Sequence, residues 1–249
     1  MPSQKADLRV VSNLEELERA GAGEVARLAR KAGPKQPFAL ALSGGRTPRG
    51  VYARLTQDPY RTLVPWPSLH LFWGDERHVP PDHPDSNYRM VRESLLARVP
   101  VPAGNVHRIP AENPDADAAA IEYEATLRSF FRLKEGQAPR FDLVLLGLGA
   151  DGHVASLFPG SEALRETGRL VAAPWIESLK AHRITLTPPV IQRAAAVLVL
   201  VSGEEKARAL ERALAPEGSV DECPARLLTT AQGQVVFIAD RPAAALVRP

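Results

Sequence analysis

The sequence predicts an α/β protein: a single domain over residues 1–249, built around a mostly parallel, doubly wound central sheet. Three observations carry this. Five short apolar runs are near-continuous instead of alternating, as in strands buried on both faces. Helical patterns separate most of them, and a strand–helix alternation folds into a sheet with helices on both sides. No repeat, low-complexity tract or long linker interrupts the chain.

Taken in order, 13–31 carries Leu14, Leu17, Val25 and Leu28 at helical spacing, with Gly21 and Gly23 weakening its middle. Run 38–43 (FALALS) is the first strand, and a glycine-rich loop leads from it into the helix RGVYARL. Run 69–74 (LHLFWG) is the second strand. Helix 86–98 follows, with Ser86 or Asn87 as N-cap, and then helix 114–133, which opens on Pro114 and acidic residues. Run 141–148 (FDLVLLGL) is the most apolar strand. Beyond it come strand 197–201 (VLVLV), the amphipathic helix 204–214 and strand 235–239 (VVFIA). The proline-rich pieces 79–84 and 99–102 are too short for linkers and read as loops. In such sheets ligands bind outside the carboxyl ends of the strands, so the loops that follow them are where chemistry is expected.

Composition narrows the partners. With 45% apolar residues the chain can bury one large core, and its net charge of +2, from 31 basic and 29 acidic side chains, makes no field that would gather nucleic acid or a membrane. The one cysteine, Cys223, excludes an internal disulfide and a thiolate zinc cluster. The amino terminus has no apolar signal core, and no run reaches the roughly 18 apolar residues of a membrane span. A cytoplasmic protein is expected.

Three loops stand out. Ser43-Gly44-Gly45-Arg46-Thr47-Pro48 turns tightly into a helix, with Thr47 placed to cap it and Pro48 suited to its first turn, so that free N–H groups offer a seat for a phosphate. The Gly-Lys-Ser/Thr ending of a Walker loop is missing. The second loop begins Asp75-Glu76-Arg77-His78, where carboxylates suit sugar hydroxyls and the arginine suits a phosphate. Asp75, His78, Asp82, His83 and Asp85 do not have the spacing of a zinc or calcium loop, and no metal is expected. The third loop, 147–153, matches GxGxxG over its first six residues but is followed by Pro159-Gly160 where a dinucleotide motif would open a long helix. Within it, His153, flanked by glycine and two residues from Asp151, is the best general-base candidate in the chain.

Together, SGGRTP (43–48), WGDERHVPPDHPDSNYRM (73–90), FDLVLLGLGADGHVASLFPG (141–160), HRITLTPPVI (182–191) and SGEEKARAL (202–210) resemble the 6-phosphogluconolactonase family of the pentose phosphate pathway, in family order and over nearly the whole chain. Val154 departs from the family's usual threonine and lies beside the base without being it. The resemblance implies a three-layer α/β/α sandwich, modified Rossmann-like, without a nucleotide, which accounts for the GxGxxG string. It implies hydrolysis of 6-phosphogluconolactone with His153 as base, and Asp151 either orienting the imidazole or touching a sugar hydroxyl. The phosphate would be held by Ser43, Gly44, Gly45, Arg46 and Thr47 with Arg77 and Lys206, and Arg183 as a further cation; Asp75 is assigned to the sugar hydroxyls. No cofactor is implied, and a monomer is expected.

The runner-up is a glucosamine-6-phosphate deaminase, which shares the phosphate loop and the DGH segment but carries a glutamate in an FNEPG-like string. Here 156–160 reads SLFPG, with no carboxylate. A third reading is a sugar-phosphate sensor without catalysis, against which the intact DGH segment speaks.

Overall fold

The computed structural model describes residues 6–33 and 36–247. Its strands and helices are β1 (Asp7–Val11), α1 (Leu14–Ala32), β2 (Phe38–Leu42), α2 (Arg46–Leu55), α3 (Tyr60–Leu63), β3 (Leu69–Trp73), β4 (Asp75–Arg77), α4 (Asn87–Ser94), β5 (Val106–His107), α5 (Ala116–Phe131) and β6 (Leu143–Gly147). After these come β7 (Val171–Ala172), β8 (Trp175–Ile176), β9 (Ala181–Leu186), α6 (Pro188–Arg193), β10 (Ala196–Val201), α7 (Ala207–Leu214) and β11 (Gln234–Asp240).

Seven strands form one parallel sheet in the order β1-β11-β10-β6-β2-β3-β5. Every residue of β2 and β10 is buried, so both faces of the sheet are covered, as the unbroken apolar runs require. The five runs read from sequence are its five inner strands. The chain winds outward through β2, β3 and β5, then returns to the other side of β2 with β6 and winds outward again through β10 and β11. The winding direction therefore reverses between β2 and β6, the position where such sheets open a crevice at their carboxyl ends.

The helices start where their side chains can cap them. Asn13 accepts from the Glu16 N–H, Ser86 from that of Arg89, and Asp115 from those of Asp117 and Ala118. Helix α2 differs from the expectation: its N-cap is Gly45 (φ 100°), Thr47 lies within the first turn, and no side chain caps it. Two further differences concern length. The helix expected over 86–98 ends at Ser94 and continues only as a short 3₁₀ turn, and the one expected over 204–214 begins with a 3₁₀ turn at Glu204–Lys206.

A second, antiparallel sheet stands at the carboxyl end of the first. It pairs β4 with β9 and β9 with β7, and β8 also pairs with β9. The residues 75–77, expected as loop, are thus a strand. Gly74 joins the two sheets: its N–H donates to the Leu42 carbonyl, and its own carbonyl accepts from the Leu186 N–H, both at 2.8 Å. Among the described residues no helix is long and apolar enough to cross a membrane.

Candidate functional site

At the crevice beyond β2 and β6 lies a cavity of about 410 Å³. The loop after β2 forms one wall. It is held from behind by the buried Tyr52, whose hydroxyl accepts from the Ser43 N–H (2.9 Å) and donates to the Ser43 carbonyl (2.8 Å). Burial pushes the Tyr52 phenol well above its ordinary pKa, so the donor keeps its proton. Gly44 is packed against the Asn87 amide so closely that a Cβ has no room. The first turn of α2 carries no side-chain cap, and its residues Arg46, Thr47 and Pro48 line the cavity.

The loop after β6 forms the opposite wall. Its glycines serve a tight turn instead of a helix start: the Gly149 N–H donates to the His153 carbonyl and the Gly152 N–H to that of Gly149. A side chain on Gly149 would strike the His153 ring, and one on Gly152 (φ 92°) would strike Cys223. The turn delivers His153 to the cavity with Nδ1 2.6 Å from Asp151 Oδ1, which also accepts the His153 N–H at 3.1 Å. Burial acts to raise the Asp151 pKa, but the bond from the imidazole and its charge outweigh it, and the net shift is downward. An ionised carboxylate only accepts, so Nδ1 carries a ring proton, and the lone pair of the neutral imidazole is the one on Nε2. Phe158 stacks on the imidazole, with centroids 4.2 Å apart, and completes its cage.

The antiparallel sheet closes the third side. Arg77 and Arg183 are direct cross-strand partners in β4 and β9. Among the described residues neither forms an ion pair with a carboxylate; Arg77 Nη1 donates to the Asp85 carbonyl at 2.7 Å and Arg183 Nη1 to that of His182 at 3.4 Å. Burial, and then the like charge of Arg77, pull the Arg183 pKa below its ordinary value. Like charges placed directly opposite oppose folding, and an anion between them would reverse that. Lys206 lines the same cavity from the turn after β10. That turn is anchored by the buried Asp240, which accepts from the Ser202 hydroxyl and the Gly203 N–H.

Of the residues expected at the site, Ser43, Gly44, Gly45, Arg46, Thr47, Asp75, Arg77, His153, Arg183 and Lys206 all line this one cavity. Asp151 is not among the residues that line it, but it is bonded to His153, which is. The sequence reading missed Asn87, Ser156, Phe158, Ser202 and Glu205, which line it too. Ser202 and Glu205 sit in the SGEEK string beside Lys206 and were findable there. Asp75 is engaged more fully than a free hydroxyl acceptor, since its Oδ2 takes the Ser156 hydroxyl at 2.6 Å. The polar loop after β4 holds no metal cluster: His78 bonds the Asn113 carbonyl, His83 Nδ1 takes the Asp85 N–H, and no three His, Cys, Asp or Glu converge among the described residues.

Known proteins share this architecture and its sequence. The family model described as glucosamine-6-phosphate isomerases/6-phosphogluconolactonase matches residues 12–237. A 6-phosphogluconolactonase of Synechocystis sp. is 40% identical over 233 residues, 94% of each chain, and a chloroplastic one of Arabidopsis thaliana is 39% identical over 83% of this chain and 64% of its own. Among solved structures, the 6-phosphogluconolactonase from Trypanosoma brucei superposes with a TM-score of 0.89 at 35% identity, covering 98% of this chain and 99% of that one. A monomeric glucosamine-6-phosphate deaminase superposes at 0.82 with 22% identity over 96% and 99%, a likeness of fold.

Proposed function

The chain belongs to the glucosamine-6-phosphate isomerase/6-phosphogluconolactonase family, and from that membership we propose that it hydrolyses 6-phospho-D-glucono-1,5-lactone to 6-phospho-D-gluconate. The observation that carries this reading is one cavity lined both by an imidazole backed by a carboxylate and by two arginines that, among the described residues, pair with no carboxylate.

The phosphate sits among Arg77, Arg183 and Lys206 against the loop 43–47, with Asp75 toward the sugar hydroxyls. This leaves the lactone carbonyl beside His153. Nε2 takes a proton from water as the water oxygen bonds to C1, giving a tetrahedral oxyanion. When the carbonyl re-forms, the bond from C1 to the ring oxygen breaks and the proton on Nε2 passes to that oxygen. Asp151 keeps the proton on Nδ1 throughout and steadies the imidazolium that forms between the two transfers. General acid–base work of this kind contributes about 10²–10⁴-fold, and binding at the distant phosphate adds to it by orientation. Each step of this mechanism is assigned to a group of this chain, and the reading calls for neither a cofactor nor a second subunit. A single buried cysteine suits a reducing compartment such as the cytoplasm.

Segment 156–160 supplies no carboxylate for the additional proton transfers of a deaminating isomerisation. The test is a pair of assays: acid release from fresh 6-phosphogluconolactone and ammonia release from glucosamine-6-phosphate. Acid without ammonia is expected. Ammonia without acid would replace the lactonase with a deaminase, and binding without either would make the protein a sensor.

A further inference from the structure

The ribbon of β4 and β9 reaches beyond its two arginines. Cross-strand partners share a face, as do residues two apart on one strand. The pairs Asp75–Thr185 and Arg77–Arg183 therefore stand on one face, about 6–7 Å apart along the strands. The intervening pair, Glu76–Ile184, turns to the other face, where the buried Glu76 carboxylate accepts the N–H groups of Asn87 and Tyr88 and the Ser86 hydroxyl.

The first pair grips the loop that carries the base. Ser156 donates its hydroxyl to Asp75 Oδ2 at 2.6 Å and its N–H to Thr185 Oγ1 at 3.2 Å. Thr185 gives its own hydroxyl proton to the Leu186 carbonyl, which leaves its lone pairs for Ser156. Ser156 is 1% exposed and Thr185 fully buried, so water does not compete for these bonds. Ser156 lies three residues past His153, in a segment closed on itself by the Leu157 N–H to Val154 carbonyl bond and by the stack of Phe158 on His153. Where Ser156 is held, the imidazole is held.

We propose that Ser156 is a positioning residue: clamped by Asp75 and Thr185, it fixes the separation between the arginines that take the phosphate and the imidazole that activates water. The inference rests on the roles proposed above for Arg77, Arg183 and His153, and it adds how binding at one end of the substrate is converted into alignment at the other. A phosphate held on a ribbon that slides against the histidine loop would gain affinity without rate. A ribbon pinned to that loop turns the same contacts into orientation at C1.

The test compares Ser156→Ala, Thr185→Val and Thr185→Ser on 6-phosphogluconolactone and on unphosphorylated glucono-1,5-lactone. Ser156→Ala and the near-isosteric Thr185→Val are expected to lower the ratio of kcat between the phosphorylated and unphosphorylated lactones by at least about tenfold, with KM for the phosphorylated one nearly unchanged. Thr185→Ser keeps the acceptor and restores the ratio. Equal losses on both lactones, a loss confined to KM, or no loss would overturn the proposal. A second measurement stands apart from turnover: saturating 6-phosphogluconate should shift the His153 ring resonances of the unaltered protein and shift them much less in Ser156→Ala. An unchanged response would overturn the positioning role, whereas absence of lactone hydrolysis by the unaltered protein would instead overturn the function proposed above.

Discussion

In the mechanism proposed above, His153 and Asp151 divide one task between a base and the group that sets its tautomer. Replacing His153 with alanine should lower kcat on 6-phosphogluconolactone by at least about 10²-fold while leaving the circular dichroism spectrum and thermal midpoint near those of the parent; near-full activity would remove it from the mechanism. Asp151→Asn is the finer probe, because an amide N–H facing Nδ1 favours the wrong ring tautomer, and we expect it to lose kcat by about 10-fold or more with little change in KM. Arg77→Ala should act on the phosphorylated lactone and leave the unphosphorylated one nearly untouched, and equal losses on both would take Arg77 out of the phosphate seat. At this scale the sequence disclosed what a short string can hold: Asp151 and His153 are two residues apart, and a loop that turns on glycine shows itself. Ser156 and Asp75 are 81 positions apart, and Asn87 earns its place by packing on Gly44, so neither relation leaves a local trace.

Elements were legible in proportion to their burial. The five inner strands announced themselves because both of their faces are covered, whereas β1 (DLRVV) is an exposed edge and β5 only two residues long. The antiparallel sheet escaped because β4, β7 and β8 are two or three residues long and β9 carries the polar His182 and Arg183 in its first half, and nothing in DER resembles a strand until β9 lies beside it. The turn after β6 gives a test: Gly152→Ala places a Cβ at a left-handed φ against Cys223 and should cost about 1–3 kcal/mol in denaturant unfolding as well as disturbing His153. The β3–β5 edge gives another. His70 Nδ1 and His107 Nε2 are 3.2 Å apart, and burial lowers both pKa values, with His70 further lowering that of His107. Both groups bind protons more readily unfolded than folded, so the stability they contribute is complete above the ordinary value of 6.5 and is lost as pH falls below it. Urea midpoints should drop between pH 7 and pH 5, and His107→Gln should flatten that slope.

Across the whole molecule, the cavity is a meeting of loops that run from residue 43 to residue 206, so a ligand there braces both halves of the sheet. Saturation with 6-phosphogluconate at a hundredfold excess over Kd should add about 2.7 kcal/mol and raise the thermal midpoint by roughly 5–10 °C, whereas exhaustive chelation should leave the rate unchanged. The order of winding also has a consequence in time. The reversal between β2 and β6 is sealed where Ala39 and Asp142, 103 positions apart, exchange bonds: the Ala39 N–H donates to the Asp142 carboxylate and the Asp142 N–H to the Ala39 carbonyl. A growing chain therefore displays one bare edge of β2 until more than half of it has been synthesised, and the pocket has no opposite wall before then. Non-local pairing of this kind is slow, so in refolding experiments activity should return only with the last phase, after most helical signal has recovered. Each molecule therefore passes through an incomplete sheet, and its pocket is whole only once β6, β9 and the turn after β10 have all joined β2 and β4.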